Sequence, residues 1–399
     1  MNIKNIQPLI GLAFLGIVHQ AYAGGLYLYE IGTEDLGLAS AGTAARAQDA
    51  STVATNPAGM TRLDGKQLVV GVQALYGDVN YSMDNPNLTG PGNIVGWLPG
   101  LNTFYSQSIS DDLKIGVAVY GNFGLSLGFD EDWAGRFLVK DSTLLGVTVQ
   151  PAFAYRINDS WSLGLGIGLN LGVFSLTRDS LAGNEKTLDD TDVAYNGRLG
   201  VLFTPTKQTR FGLTYAGKVD YQFDVDASGN LPAGGGRWDL PISTAVGAPQ
   251  QVMFSAVQSL GEKWSVLGNI GWQDWSSFSD LAVSAAGVEI ASSLDLQDTW
   301  HFALGTQYQM QSATRLNFGI AYDTSMYNDQ NNTSLTMPSG VSWRFGTGVL
   351  QQLNEKASLG VAIEYLTSED SRVSSPASLA GSYNDPQMYF LSVHYTYRF

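Results

Sequence analysis

From about Lys66 to its last residue the chain repeats one pattern: apolar positions alternate with small or polar ones, a break follows, and the alternation resumes. A period of two is the mark of a strand, because successive side chains leave opposite faces. Trp161, Leu163, Leu165, Ile167, Leu169, Leu171 and Val173 alternate with Ser162, Gly164, Gly166, Gly168, Asn170 and Gly172. Leu145 to Ile157, Phe211 to Phe223 and Leu359 to Tyr365 alternate in the same way, the second placing Val219, Tyr221 and Phe223 on the apolar face. A soluble sandwich also alternates. Here the polar face is built of Gly, Ser, Asn and Gln, while aromatics gather near the ends of the apolar face, as in a strand with lipid outside and a lumen inside. In hydrocarbon every backbone N–H and C=O needs a partner, so such a sheet must close.

The breaks are of two kinds, and they alternate. Short ones fall at 110–112, 158–160, 205–207, 261–262, 311–312 and 354–355. Long ones run roughly over 78–100, 125–142, 178–192, 225–249, 276–298, 324–339 and 369–386. Together they separate about fourteen strands, with short turns in the periplasm, long loops outside and both termini periplasmic. The predicted fold is all-β: a transmembrane antiparallel barrel. Its last strand alternates Tyr389, Leu391, Val393, Tyr395, Tyr397 and Phe399 to the final residue. Tyr395, Tyr397 and Phe399 resemble the terminal signal read by barrel-assembly machinery, an expected partner.

The first residues follow another logic. Lys4, an apolar run over Leu9–Val18 and Ala21-Tyr22-Ala23 make a secretory signal with an A-x-A cleavage site. The run is too short for a spanning helix, which needs roughly 20 residues. The expected domains are a signal peptide at 1–23, an N-terminal segment at 24–65 and a barrel at 66–399. The N-terminal segment lacks strand alternation. Gly42–Ala50 is expected as a short helix, and Asn56-Pro57-Ala58-Gly59 as a turn. Gly-rich inner faces leave room inside the barrel, so the segment is expected to fold back as a plug.

Composition narrows the class. The chain has 46 Gly, 19 Tyr, 17 Phe, 9 Trp and no Cys, and it is 14% charged. An exported chain without cysteine is no disulfide scaffold. It also has no thiolate metal site and no cysteine nucleophile. The net charge of −15 opposes a nucleic-acid partner, which needs a basic surface. Asp130-Glu131-Asp132 and Asp189-Asp190-Thr191-Asp192 read as solvated loop charge before cation sites. Outside the signal the histidines are His301 and His394. Neither has a partner at a catalytic spacing, and both read as hydrogen-bonders of the lumen wall. No enzyme activity, metal or cofactor is expected.

The residues also resemble a known family. Leu36 to Met60 (LGLASAGTAARAQDASTVATNPAGM) is similar to the N-terminal hatch of the FadL/TodX outer-membrane transporters. Tyr120-Gly121-Asn122-Phe123-Gly124-Leu125 resembles an element of that family's third strand. Ala154–Asn158 with Trp161–Gly166, Trp275–Phe278, Ala303–Thr306 and Gly319–Asp323 match further elements in order. The resemblance implies a fourteen-stranded barrel, a hatch carrying Asn56, Pro57, Ala58 and Gly59, and a kink in the third strand at Gly121, Asn122, Phe123 and Gly124. It implies passive transport of hydrophobic molecules with lateral exit at that kink, long-chain fatty acids first and aromatic hydrocarbons as the alternative. Outer-membrane lipid and lipopolysaccharide would surround the wall. Glycine within a strand is a physical ground for a bend. By alternation Arg156, Arg198, Lys218 and Arg344 face the lumen, with Asp220, Asp323 and Glu364 as possible partners. They are candidates to hold a carboxylate head, or to neutralise charge between wall and plug, and Arg46 in the hatch is similar. The chain departs from the fatty-acid members in a short third loop near Thr177–Thr191. The rivals are a general diffusion porin, with an aqueous lumen, charge rings and no plug, and a structural barrel.

Overall fold

The structure, a computed structural model, describes residues 28–180, 184–230, 237–278, 280–285, 288–293, 295–374 and 376–399. The signal segment expected at 1–23 lies outside them. Fourteen strands form a closed antiparallel barrel. They are β1 (Lys66–Asp78), β2 (Gly96–Ser108), β3 (Leu113–Gly128), β4 (Asp141–Arg156), β5 (Trp161–Asp179), β6 (Glu185–Phe203) and β7 (Thr209–Ala216). The second half is β8 (Gln251–Leu260), β9 (Trp264–Gln273), β10 (Thr299–Gln311), β11 (Thr314–Asp323), β12 (Ser342–Gln352), β13 (Ala357–Ser368) and β14 (Gln387–Arg398). Each pairs with its sequence neighbours, and β1 with β14 closes the ring from Gln67↔Arg398 to Asp78↔Gln387. No edge strand remains between the first and last strands to seek a partner in lipid.

The alternation decides which face is wet. Val72 (55% exposed), Ile167 (53%) and Leu304 (58%) point outward, whereas Gln150, Asn170, Ser255 and Ser392 are buried inside. A charge at an outward mid-strand position should therefore be costly, by about 2–4 kcal/mol at the midplane. Leu304→Arg is expected to lower barrel stability by that amount in vesicle unfolding titrations, while the lumen-wall change Thr148→Ser, which keeps the hydroxyl bonded to Asn170, should be felt less.

The short turns lie where expected. Four of the long loops hold strands of their own, and Tyr81–Met83, Ser371–Val373 and Gly381–Tyr383 form a three-stranded sheet. Val219–Asn230, Arg237–Ala248, Asp280–Ala285 and Val288–Ser293 form a four-stranded sheet. The expected phase fails there. Val219, Tyr221 and Phe223 do not face lipid; they are buried, and Lys218 and Asp220 are exposed. The cause is a one-residue slip at Gly217-Lys218. Ala216 points in and so does Val219, three positions on, and a slip of one flips every later side chain.

The N-terminal segment fills the interior at the end of the barrel that carries the short turns. It holds two short helices, α1 (Thr33–Gly37) and α2 (Thr52–Thr55), and a 3-10 helix over Pro57–Arg62. The helix expected over Gly42–Ala50 does not form. Gly42 and Ala47 have positive φ, of 76° and 45°. The wall takes the backbone instead: Gly42 N donates to Asn269 Oδ1 (2.8 Å) and Ala44 N to Ser255 Oγ (3.0 Å). Tertiary bonds here override local propensity.

Candidate functional site

The Asn-Pro-Ala-Gly element ties the hatch together and to the wall. Asn56 is fully buried and caps the 3-10 helix, its Oδ1 accepting from Ala58 N at 3.1 Å. Its Nδ2 donates to the carbonyls of Ala44 (2.6 Å) in the hatch and Val201 (3.1 Å) on β6. Two inner-wall glycines make this approach possible. A Cβ on Gly200 would lie 2.1 Å from Asn56 Oδ1, and one on Gly164 would lie 2.2 Å from Ala58 N. Gly164→Val is therefore expected to push the hatch off β5 at an overpacking cost of about 1–3 kcal/mol, seen as faster amide exchange over 52–62 with the barrel intact.

A buried charge network anchors the other end of the hatch. Glu30 and Arg344 on β12 form an ion pair. Arg344 Nε donates to Asp323 Oδ2 at 2.6 Å, and Nη1 lies 3.6 Å from Glu364 Oε1. His301 bridges wall and hatch: Nδ1 is 2.6 Å from Asp323 Oδ1 and Nε2 is 2.6 Å from Ser40 Oγ. Tyr29 stacks on the His301 ring at 4.1 Å. Arg315 pairs with Glu34 at 2.8 Å. Burial pushes the Glu34 carboxyl up, but Arg315, Arg46 and His394 pull it below its ordinary range. For the neighbouring Asp35 burial outweighs its 2.6 Å pair with Arg46, and its carboxyl is raised. Arg344→Ala would take away the cation shared by Glu30 and Glu364 and leave Asp323 with His301 alone. Losing one partner of a buried ion pair costs about 3–5 kcal/mol, so the variant should unfold at clearly lower denaturant in vesicles.

These contacts sort the candidate cations. Arg344 is fully engaged by acids. Arg156 donates to the Thr61 carbonyl of the hatch. Buried Arg198 donates to Gln150 (3.3 Å), whose amide in turn holds the Val53 carbonyl (2.7 Å). Lys218 is the exception. It sits at the slip described above, is exposed, and pairs with Asp220 at 2.9 Å. Arg315 was missed, although it shares the inward phase of Asn317. The acidic run at 189–192 was expected in a loop but lies within β6, where Asp190 and Asp192 accept from the backbone of Asp224 and Gln222; in the loop after β3, Glu131 pairs with Lys140. No cluster of metal-ligating side chains is found among the described residues.

The third strand carries the other feature. Its pairing with β4 skips one residue between Gly121 and Phe123. Such a bulge bends a strand and reverses its phase. Val117 and Val119 face out, yet Phe123, Leu125 and Leu127 are buried inside. Gly124 takes a φ of 131°, and a Cβ there would lie 2.2 Å from Leu144 O. Past the bulge β3 parts from β2. Their ladder runs from Ser108↔Lys114 to Thr103↔Val119 and stops. Gly96–Asn102 pair with β1, and Tyr120–Gly128 with β4, which leaves an opening in the wall. Pro99 lies on this open edge of β2, where a residue lacking an N–H is tolerated.

Inside the opening the lumen is apolar. Phe123, Leu125 and Leu127 join Phe174, Tyr221, Phe223, Trp275, Met326 and Met388 in one buried cluster that reaches Tyr29 of the hatch. A cavity of about 70 Å³ at the foot of this cluster is lined by Tyr29, Trp275, Met326, Leu366 and Met388 together with the polar Gln273, Thr299, Asp323, Arg344 and Glu369. An aqueous pore would present charge rings here. A stoppered barrel with an oily upper lumen defines instead a class of outer-membrane transport proteins for hydrophobic compounds.

Comparison with known proteins agrees. The family described as outer membrane protein transport protein (OMPP1/FadL/TodX) matches residues 14–399, and the chain belongs to it. The long-chain fatty acid transport protein of Salmonella typhi is 28% identical, covering 92% of this chain and 93% of its own. Outer membrane protein P1 of Haemophilus influenzae (strain Rd) is 25% identical, covering 90% of this chain and 89% of its own. Among solved structures, a Pseudomonas aeruginosa FadL homologue superposes with a TM-score of 0.78 at 18% identity, covering 94% and 100% of the two chains. The P. putida toluene transporter TodX gives 0.75 at 15%, covering 93% and 99%. The chain is thus an outer-membrane transporter of hydrophobic compounds.

Proposed function

We propose that the cargo is a long-chain fatty acid, taken into the apolar upper lumen and released sideways between β2 and β3 into the bilayer. The observation that carries this reading is the phase reversal in β3. One extra residue turns Phe123, Leu125 and Leu127 inward at the very place where the β2–β3 ladder ends. The buried apolar cluster then extends from Trp275, Met326 and Met388 to Phe123, Leu125 and Leu127 beside the opening. An acyl chain gains roughly 0.8 kcal/mol per buried methylene, so a path that stays apolar needs no energy input. The hatch closes the direct route to the periplasm. Arg344 is committed to Glu30, Asp323 and Glu364, so the carboxylate head is left toward the wet outer mouth. Curated relatives named as long-chain fatty acid transport proteins support the choice of cargo. Outside the barrel, the outward aromatics meet lipid and lipopolysaccharide. Tyr395 and Phe399, both exposed, stay available to the assembly machinery.

A second reading, aromatic hydrocarbons, is favoured by the stacked rings inside the lumen, Phe174 against Phe223 at 5.4 Å and Tyr221 against Phe223 at 5.8 Å. Quenching of lumen tryptophan fluorescence separates the two. Oleate is expected to saturate the signal, with toluene displacing it weakly. Saturation by toluene with no response to oleate would transfer the assignment to hydrocarbons.

A further inference from the structure

The periplasmic end of the lumen holds a cluster of guanidinium groups that transport of an oily cargo does not use. Arg210 lies on the inward face of β7, two residues nearer the short turn than Gly212, where a Cβ would lie 1.9 Å from the Ala44 carbonyl of the hatch. It therefore sits in the wall just beneath the hatch. Arg62 ends the 3-10 helix and is exposed. It is placed at the periplasmic end of β5 by the neighbouring Thr61, whose Oγ1 bonds Ser162 Oγ at 2.8 Å. One strand separates β5 from β7, a distance of about 10 Å. The charged neighbours acting on Arg210 are Arg62 and Arg46, both positive. Arg156, at the same end of β4, spends its hydrogen bond on a neutral carbonyl. Arg46 is paired with Asp35, and Glu34 and Asp49 are also near it. Its Nη1 nevertheless stays buried with no hydrogen-bond partner, in a side chain 3% exposed overall. Among the described residues Arg62, Arg156 and Arg210 make no ion pair.

We propose that Arg46, Arg62 and Arg210 form an oxyanion site open to the periplasm, on the far side of the hatch from the cargo path. Its ligand class is a phosphate or carboxylate group, which the forked guanidinium donors suit in geometry and charge. A buried donor without an acceptor beside a positive cluster is costly to keep, and an anion from the periplasm relieves both the vacant donor and the repulsion. The site is independent of what the barrel transports. Its oxyanion could be free, or it could be the phosphodiester of a lipid head group reaching the barrel rim.

The test uses the full mature chain in nanodiscs of zwitterionic lipid, titrated with inorganic phosphate in a calorimeter. Saturable binding is expected. It should weaken by about tenfold in Arg210→Gln and in Arg62→Gln, the loss of one charge-assisted hydrogen bond, and should recover in Arg210→Lys. Arg62 is exposed, so its variant does not threaten the fold, and Lys207→Gln on the adjacent turn should change nothing. In nanodiscs containing phosphatidylglycerol, persistent phosphate binding would assign the site to a free anion, and loss of binding would assign it to a lipid head group. Either supports the oxyanion site. No saturable binding in zwitterionic discs, or binding equal in wild type, Arg62→Gln and Arg210→Gln, would overturn it.

Discussion

Without residues 24–64 the protein is expected to insert as a barrel and to conduct. The hatch fills the half of the lumen beside the short turns, and its backbone rests directly on the inner wall at Gly164, Gly212, Gly319 and Gly346. Its bonds to the wall come from many strands, among them Gln73, Asn102, Ser255, Asn269 and Ser392. Removing it leaves those polar groups facing a space that water enters. The strands keep their ladder partners, because no barrel strand pairs with the hatch. Barrels of sixteen to eighteen strands hold open aqueous channels and eight-stranded ones are filled by side chains, so fourteen strands without a stopper should conduct, by roughly an order of magnitude or more above the intact protein. Planar-bilayer recordings of both forms check this. Equal conductance would mean that the outer loops alone seal the barrel.

The second large effect concerns the opening beside β3. Gly121 is exposed there, and a Cβ would approach nothing nearer than Gly146 O at 3.6 Å. Gly121→Trp therefore fits the fold while placing an indole at the mouth of the opening. Forcing cargo past a filled gap should cost about 1–3 kcal/mol, the range of an overpacked core, and slow uptake by roughly tenfold. Gly124 is unsuitable for the same purpose. Its positive φ and the close Leu144 carbonyl make any side chain there strain the β3–β4 ladder, so a Gly124 variant confuses misfolding with blockage. Uptake at the normal rate by a well-assembled Gly121→Trp protein would exclude exit through this opening.

Much of the architecture was legible because a barrel wall repeats one rule. The alternation of Leu163, Leu165 and Ile167 with glycines gives the outward face, and the last strand announces itself through Tyr395, Tyr397 and Phe399. The rule fails wherever a single residue is inserted. At Gly217-Lys218 the slip moved Tyr221 and Phe223 from the lipid face to the interior and carried Lys218 out of the lumen. At the β3 bulge the glycines marked a bend, but not that Phe123, Leu125 and Leu127 would turn inward, because a phase reversal depends on which strand gains the extra residue. The hatch was legible by composition and motif and not by local structure. Residues 42–50 look helical, yet Asn269 and Ser255 claim their backbone, and those partners lie more than two hundred positions away. The inward phase of Arg156, Arg198 and Arg344 was readable. Asp323 and Glu364 were readable as partners of Arg344, whereas Glu30 and Thr61 were not, since they reach Arg344 and Arg156 only once the hatch is inside.

Uptake of a radiolabelled long-chain fatty acid, run beside a labelled small sugar in cells with and without the protein, tests the account most directly. Fatty-acid entry should depend on the protein and sugar entry should not, because the hatch and the oily upper lumen exclude a hydrated solute. Sugar entering as readily as the fatty acid would contradict it.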